Sequence, residues 1–234
     1  MKKEELRFGE IPGLLYTVQA DRVFLFVHGK GGNKEEASLL AEIVCEKGWD
    51  VVGIDLPGWG ERTAEAERFV PWETAPELRA VYEELKQRYF AVALFANSIG
   101  AYFSLLSLGD KDPERALLVS PVTDMERLIR RMMGWAAVTP EQLEKEREIP
   151  TAFGETLSWP YLCYVKEHPV THWNVPTRIL YAGRDELVER ESIEDFVRRF
   201  GAELTVMEEG EHWFHTPRQL AFLNGWMRDV MAGL

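Results

Sequence analysis

Short runs of apolar residues alternate along this chain with longer stretches in which apolar positions recur every three or four residues. The short runs are Val23-Phe24-Leu25-Phe26-Val27, Val51-Val52-Gly53-Ile54, Phe90-Ala91-Val92-Ala93-Leu94-Phe95, Ala116-Leu117-Leu118-Val119, Arg178-Ile179-Leu180-Tyr181-Ala182 and Leu204-Thr205-Val206-Met207. Runs this apolar predict parallel strands buried on both faces. Between them, residues 74–89 place Leu78, Val81, Tyr82, Leu85 and Tyr89 on one side of a helix, with Glu and Lys on the other. Residues 34–47, 189–200 and 216–231 behave similarly. Alternating strand and helix predicts an α/β fold with a mostly parallel, doubly wound sheet and helices on both faces.

One region breaks the rhythm, from about residue 122 to about residue 173. Residues 124–134 predict a helix with Met125, Leu128, Ile129, Met132 and Met133 on one side. Thr139-Pro140 reads as the N-cap and first position of a second, strongly charged helix running to residue 148. An aromatic-rich stretch follows, with Phe153, Trp159, Tyr161 and Tyr164.

Candidate chemistry centres on Phe95-Ala96-Asn97-Ser98-Ile99-Gly100-Ala101, where an apolar strand runs into a helix. A turn this sharp strains the backbone at its central residue and demands small residues two before and two after, a demand that Ala96 and Gly100 meet. Ser98 then sits at a helix N-terminus, where the dipole favours an alkoxide. The alternative is that Ser98 is a simple N-cap.

The elbow resembles that of the α/β-hydrolase superfamily, here with Ala96 where that family most often has glycine. Three further segments fall in the family's order, so the resemblance covers nearly the whole chain. His28-Gly29-Lys30-Gly31-Gly32-Asn33 resembles the family's oxyanion loop, which implies Lys30 and Ile99 as the backbone N–H donors to a substrate carbonyl. As alternatives, it is a glycine-rich turn without a ligand or a phosphate loop, although the Gly-Lys-Ser/Thr ending is missing. The Lys30 side chain either attracts an anionic substrate or extends into solvent. Asp55-Leu56-Pro57-Gly58-Trp59-Gly60 is similar to the family's Asp-x-x-Gly-x-Gly segment, with Asp55 read as structural. Gly183-Arg184-Asp185 resembles the family's acid loop and implies Asp185 as the triad acid, with Glu186 and Asp124 as rivals. Glu209-Gly210-Glu211-His212-Trp213-Phe214 matches the histidine stretch, which implies His212 as the base. His215 is the competitor, while His168 and His172 carry no motif. The order Ser98, Asp185, His212 is the one α/β hydrolases use.

The resemblance implies one α/β-hydrolase domain over residues 1–234 with a small helical lid at about 122–173. Some of Met132, Met133, Trp135, Trp159 and Tyr161 are expected to roof the site, the others forming a small core of the lid itself, and Trp213 is expected to join in binding substrate. The expected activity is hydrolysis of a carboxylic ester through an acyl-enzyme. Thioesterase, amidase or peptidase, carbon–carbon hydrolase and hydroxynitrile lyase chemistry use the same triad, and a slow-turnover binding protein can share the fold.

Composition narrows the partners. A net charge of −12 without a concentrated basic patch argues against nucleic acid. No run approaches the ~18 apolar residues of a membrane helix, and no signal-peptide pattern follows the charged start. Cys45 and Cys163 read as reduced thiols of a cytoplasmic protein. Scattered His and Cys give no metal-ligand spacing, so neither metal nor other cofactor is expected. The expected partner is a small acyl substrate, with the oligomeric state open.

Overall fold

The structure, a computed structural model, describes residues 1–232. Its strands are β1 (Lys2–Phe8), β2 (Ile11–Thr17), β3 (Arg22–Val27), β4 (Asp50–Ile54), β5 (Ala91–Asn97), β6 (Ala116–Val119), β7 (Glu148–Pro150), β8 (Thr156–Ser158), β9 (Thr177–Ala182) and β10 (Glu203–Met207). Eight of these form one sheet in the order β1-β2-β4-β3-β5-β6-β9-β10; β7 and β8 form a separate hairpin. From β4 through β10 every pairing in the large sheet is parallel, whereas β1 and β2 add an antiparallel edge.

Period-two alternation explains why these runs are apolar throughout. Along β3, Val23, Leu25 and Val27 enter one core, while Phe24 and Phe26 enter the core on the opposite face. Along β5, Val92, Leu94 and Ala96 share the first core, and Ala91, Ala93 and Phe95 the second. Helices cover both faces: α1 (Ala37–Val44), α2 (Pro71–Arg88), α3 (Ser98–Leu108), α4 (Met125–Trp135), α5 (Pro140–Glu146), α6 (Trp159–Glu167), α7 (Arg190–Phe200) and α8 (Pro217–Ala232). Buried residues of α1 and α8 line one core; those of α2, α3, α7 and the helices between β6 and β9 line the other. The fold is therefore an α/β-hydrolase fold, mostly parallel, with helices on both sides.

Several elements differ from the sequence expectation. The helix expected at residues 34–47 is three pieces, with 3-10 turns at Lys34–Glu36 and Cys45–Lys47 on either side of α1. The charged helix stops at Glu146, because Arg147 takes φ +70 and turns the chain into β7. The β1–β2 hairpin has no expected counterpart. Its Lys- and Glu-rich β1 lies mostly exposed at the sheet edge, where charge blocks further strand pairing.

Register brings the functional ends together. Val27 pairs with Ala96, and Asn97 pairs with Val119, so the chain leaves β3, β5, β6 and β9 at one end of the sheet. Between β6 and β9 the chain inserts α4, α5, the β7–β8 hairpin and α6 above that end.

Candidate active site

Ser98 begins α3 directly after β5 with φ +49, the left-handed conformation that a sharp elbow imposes on a residue with a side chain. Close approach explains the small neighbours. A Cβ on Gly100 would lie 2.3 Å from the His28 carbonyl oxygen, and Ala96 is fully buried. Val122 N donates to the Ser98 carbonyl at 3.0 Å, tying the elbow to the segment after β6.

Two loops converge on the serine. The hydroxyl of Ser98 donates to His212 Nε2 at 2.8 Å, and His212 Nδ1 donates to Asp185 Oδ2 at 2.6 Å. A carboxylate only accepts, so it fixes the proton on Nδ1 and leaves Nε2 free to accept from serine. The second oxygen, Asp185 Oδ1, accepts from Leu187 N at 2.9 Å and Val188 N at 2.8 Å. Tyr181, at the end of β9, donates its hydroxyl to the Val188 carbonyl at 2.8 Å. Burial, and then the charge of Asp185, push the Tyr181 phenol up to about 12, so it stays a donor. Backbone bonds from Gly183 N to Met207 O and from Arg184 N to Gly210 O, both 2.8 Å, lace the acid loop to the histidine loop.

The loop after β3 is anchored from beneath. His28 is fully buried; its Nδ1 donates to the Gly29 carbonyl at 2.7 Å, and its Nε2 accepts from Leu56 N at 3.0 Å. Burial pushes the His28 pKa down, which keeps the ring neutral and able to accept. Asp55, also fully buried, accepts from Lys34 N and Lys34 Nζ at 2.8 Å and from Glu61 N at 3.0 Å. Burial opposes the Lys34 charge, but its bonds to Asp55 and Glu61 outweigh this and raise its pKa. A Cβ on Gly29 would sit 3.2 Å from Ser98 Cβ, which shows how closely the loop passes the serine. Ile99, the second residue of α3, carries a first-turn N–H that no intrahelical carbonyl reaches.

Ser98, Lys30 and Ile99 share a cleft of about 1370 Å³, above the ~300–1,000 Å³ usual for small-ligand pockets. Of the residues expected to bind substrate, Trp135, Tyr161 and Met132 line it. Trp159, Met133 and Trp213 do not. Trp159 packs against the main core as α6 begins, with its backbone N–H on the Arg147 carbonyl at 2.8 Å, and Met133 is buried within that core. Trp213 is 75% exposed and stacks on His215 at 5.0 Å, because the turn that aims His212 inward sends the next residue out. Phe69, Trp72, Phe153 and Leu157 add to the apolar wall, beside Met125, Leu128 and Ile129 of α4. No periodicity marked Phe69 or Trp72, which precede the expected helix; Phe153 and Leu157 lie in the aromatic stretch that the sequence did point to.

The rival residues fall elsewhere. Asp124 caps α4, accepting from Arg127 N at 2.9 Å. Glu186 lines the cleft, and His215 Nδ1 donates to the Trp213 carbonyl at 2.6 Å. His168 stacks on Tyr164 at 4.0 Å, and His172 meets Asn174 at 3.1 Å.

Strand order, elbow and converging loops together define an α/β hydrolase. Residues 18–154, more than half of the chain, match the sequence profile of the family described as Serine aminopeptidase, S33, and the chain belongs to that family of α/β hydrolases. The matched span ends before Asp185 and His212. A search of curated proteins finds no significant match. Among solved structures, Est1E from Butyrivibrio proteoclasticus, with ferulic acid bound, superposes with TM-score 0.80 at 17% identity, covering 98% of each chain. Alpha/beta hydrolase domain-containing protein 10 from mouse gives 0.76 at 14% identity over 100% of this chain and 99% of its own. An esterase from Pyrococcus furiosus gives 0.67 at 18% identity over 98% and 87%.

Proposed function

We propose that the protein is a serine hydrolase that cleaves a carboxylic ester or related acyl bond, with Ser98 as nucleophile, His212 as base and Asp185 as its orienting acid. The observation that carries this reading is the unbroken relay from Ser98 Oγ through the His212 ring to Asp185, at 2.8 and 2.6 Å. His212 Nε2 takes the hydroxyl proton as Oγ attacks the carbonyl, and Asp185 stabilises the imidazolium. The oxyanion is held by the N–H groups of Lys30 and Ile99, where one donor typically contributes ~3–4 kcal/mol to the transition state. His212 returns its proton to the leaving group, and water releases the acyl group by the reverse route. The segment between β6 and β9 acts as the lid, and its apolar wall favours an apolar acyl or alkoxy group. No helix among the described residues is long and apolar enough to cross a membrane. Cys45 and Cys163 are unbridged thiols, which supports the cytoplasmic reading.

A second reading, aminopeptidase action on the same triad, draws support from the family description and from the carboxylates on the cleft. Glu67, Glu148 and Glu186 line it without a salt-bridge partner among the described residues, and a substrate ammonium would complement them. Steady-state turnover of neutral p-nitrophenyl esters and of aminoacyl p-nitroanilides, with and without N-acetylation, tests both. We expect ester turnover that falls about 10⁴-fold or more in Ser98→Ala and Asp185→Asn. Turnover confined to free-amine anilides would replace the esterase reading with the peptidase one.

A further inference from the structure

One charged contact joins the loop after β3 to the insertion. Lys30 Nζ donates to Glu155 Oε1 across the cleft that both residues line with Ser98, each side chain half-exposed. Glu155 sits on a fixed turn between β7 and β8. Its N–H donates to Thr151 Oγ1 at 3.2 Å, and its carbonyl accepts from Thr151 N at 2.8 Å and Thr151 Oγ1 at 2.7 Å. On the other side of the turn, Phe153 meets Trp135 of α4 edge-on, with centroids 5.8 Å apart. The hairpin therefore delivers a carboxylate from a braced position. Lys30, by contrast, stands between two glycines in a turn closed by Gly32 N on the Gly29 carbonyl at 3.2 Å, with Gly31 at φ +83.

We propose that Glu155 is a positioning residue: by holding the Lys30 side chain it sets the Lys30 N–H toward the oxyanion position, so docking of the insertion and completion of the oxyanion site are one event. This rests on the serine-hydrolase reading above. It also gives the Lys30 cation a role other than substrate capture, since its charge is already met by Glu155. The effect is modest in size. Half-exposed ion pairs shift an equilibrium by up to about fivefold, and salt screens them.

The rate at which a fluorophosphonate labels Ser98 reads the site without a known substrate, and ester turnover splits kcat from KM. Glu155→Gln and Lys30→Gln are each expected to slow labelling about three- to fivefold. In ester turnover the loss should appear in kcat, with KM within about twofold of wild type. The double variant should lose no more than either single, because both break the same contact. Raising salt to about 0.5 M should slow the wild type and leave Glu155→Gln unchanged. Hydrogen exchange should quicken at residues 148–158 while the β3 and β5 amides stay protected, which separates undocking from unfolding. Single variants that label at the wild-type rate, or losses that multiply in the double variant, would overturn the role of Glu155 and leave the triad standing. A wild type that does not label at Ser98 would remove the serine-hydrolase reading and this proposal with it.

Discussion

Ser98 was legible because its demands fall on its neighbours: a strained serine needs small residues two positions away on each side, and these are adjacent in sequence. Asp185 was harder to single out, since Glu186 and Asp124 offered the same chemistry. What separates them is two amides of its own loop on Oδ1 and, on Oδ2, a histidine brought in from another loop, a contact that sequence alone does not show. Tyr181 was read only as part of a strand, yet its hydroxyl fixes the carbonyl of Val188, whose amide binds Asp185. Tyr181→Phe is expected to cost about 0.5–1.5 kcal/mol in chemical denaturation, the net value of one hydrogen bond. It should lower kcat with little change in KM, because the acid is loosened and not the pocket. Unchanged stability and kcat would mean that the two Asp185 amides hold the loop by themselves.

At the scale of elements, the strands were recognisable because burial on both faces leaves them almost wholly apolar. The β7–β8 hairpin has strands of three residues, too short to show a period, while β1 is charged and exposed along most of its length and Pro12 and Gly13 interrupt the apolar run of β2, so neither hairpin carries a strand signal. The cleft wall was read in part for a related reason: Phe69 and Trp72 come from the start of α2 and the turn before it, whose place above the site is set by tertiary packing. The loops after β3 and β4 are clasped by neutral His28, and this has a pH signature. Burial lowers the folded-state pKa of His28 below the ordinary value near 6.5. Between those two values the unfolded chain binds a proton that the folded chain does not, so stability rises with pH there. Acidifying from about pH 7 to about pH 5 should therefore reduce the unfolding free energy, with a slope of up to about 1.4 kcal/mol per pH unit from this group. His28→Gln keeps an acceptor for Leu56 N but cannot titrate, so denaturant midpoints should show that limb flattened. An identical pH profile in the variant would assign the limb to other groups.

For the whole molecule, the sheet works as a frame that brings four loops to one end, where residues 30, 98, 185 and 212 meet although 182 positions separate the first from the last. The frame and the relay could be read from ordered motifs; the contents of the cleft could not, because they depend on how an insertion of irregular pattern packs above the frame. The central claim is that Ser98 is activated by His212. The most direct measurement is reaction with a fluorophosphonate, followed by peptide mass spectrometry, on the wild type and on Ser98→Ala and His212→Ala. The expected result is one adduct per chain on the peptide bearing Ser98, absent from the serine variant and slowed by about 10³-fold or more in the histidine variant. A folded wild type left unmodified at Ser98, or labelled equally fast without His212, would contradict it.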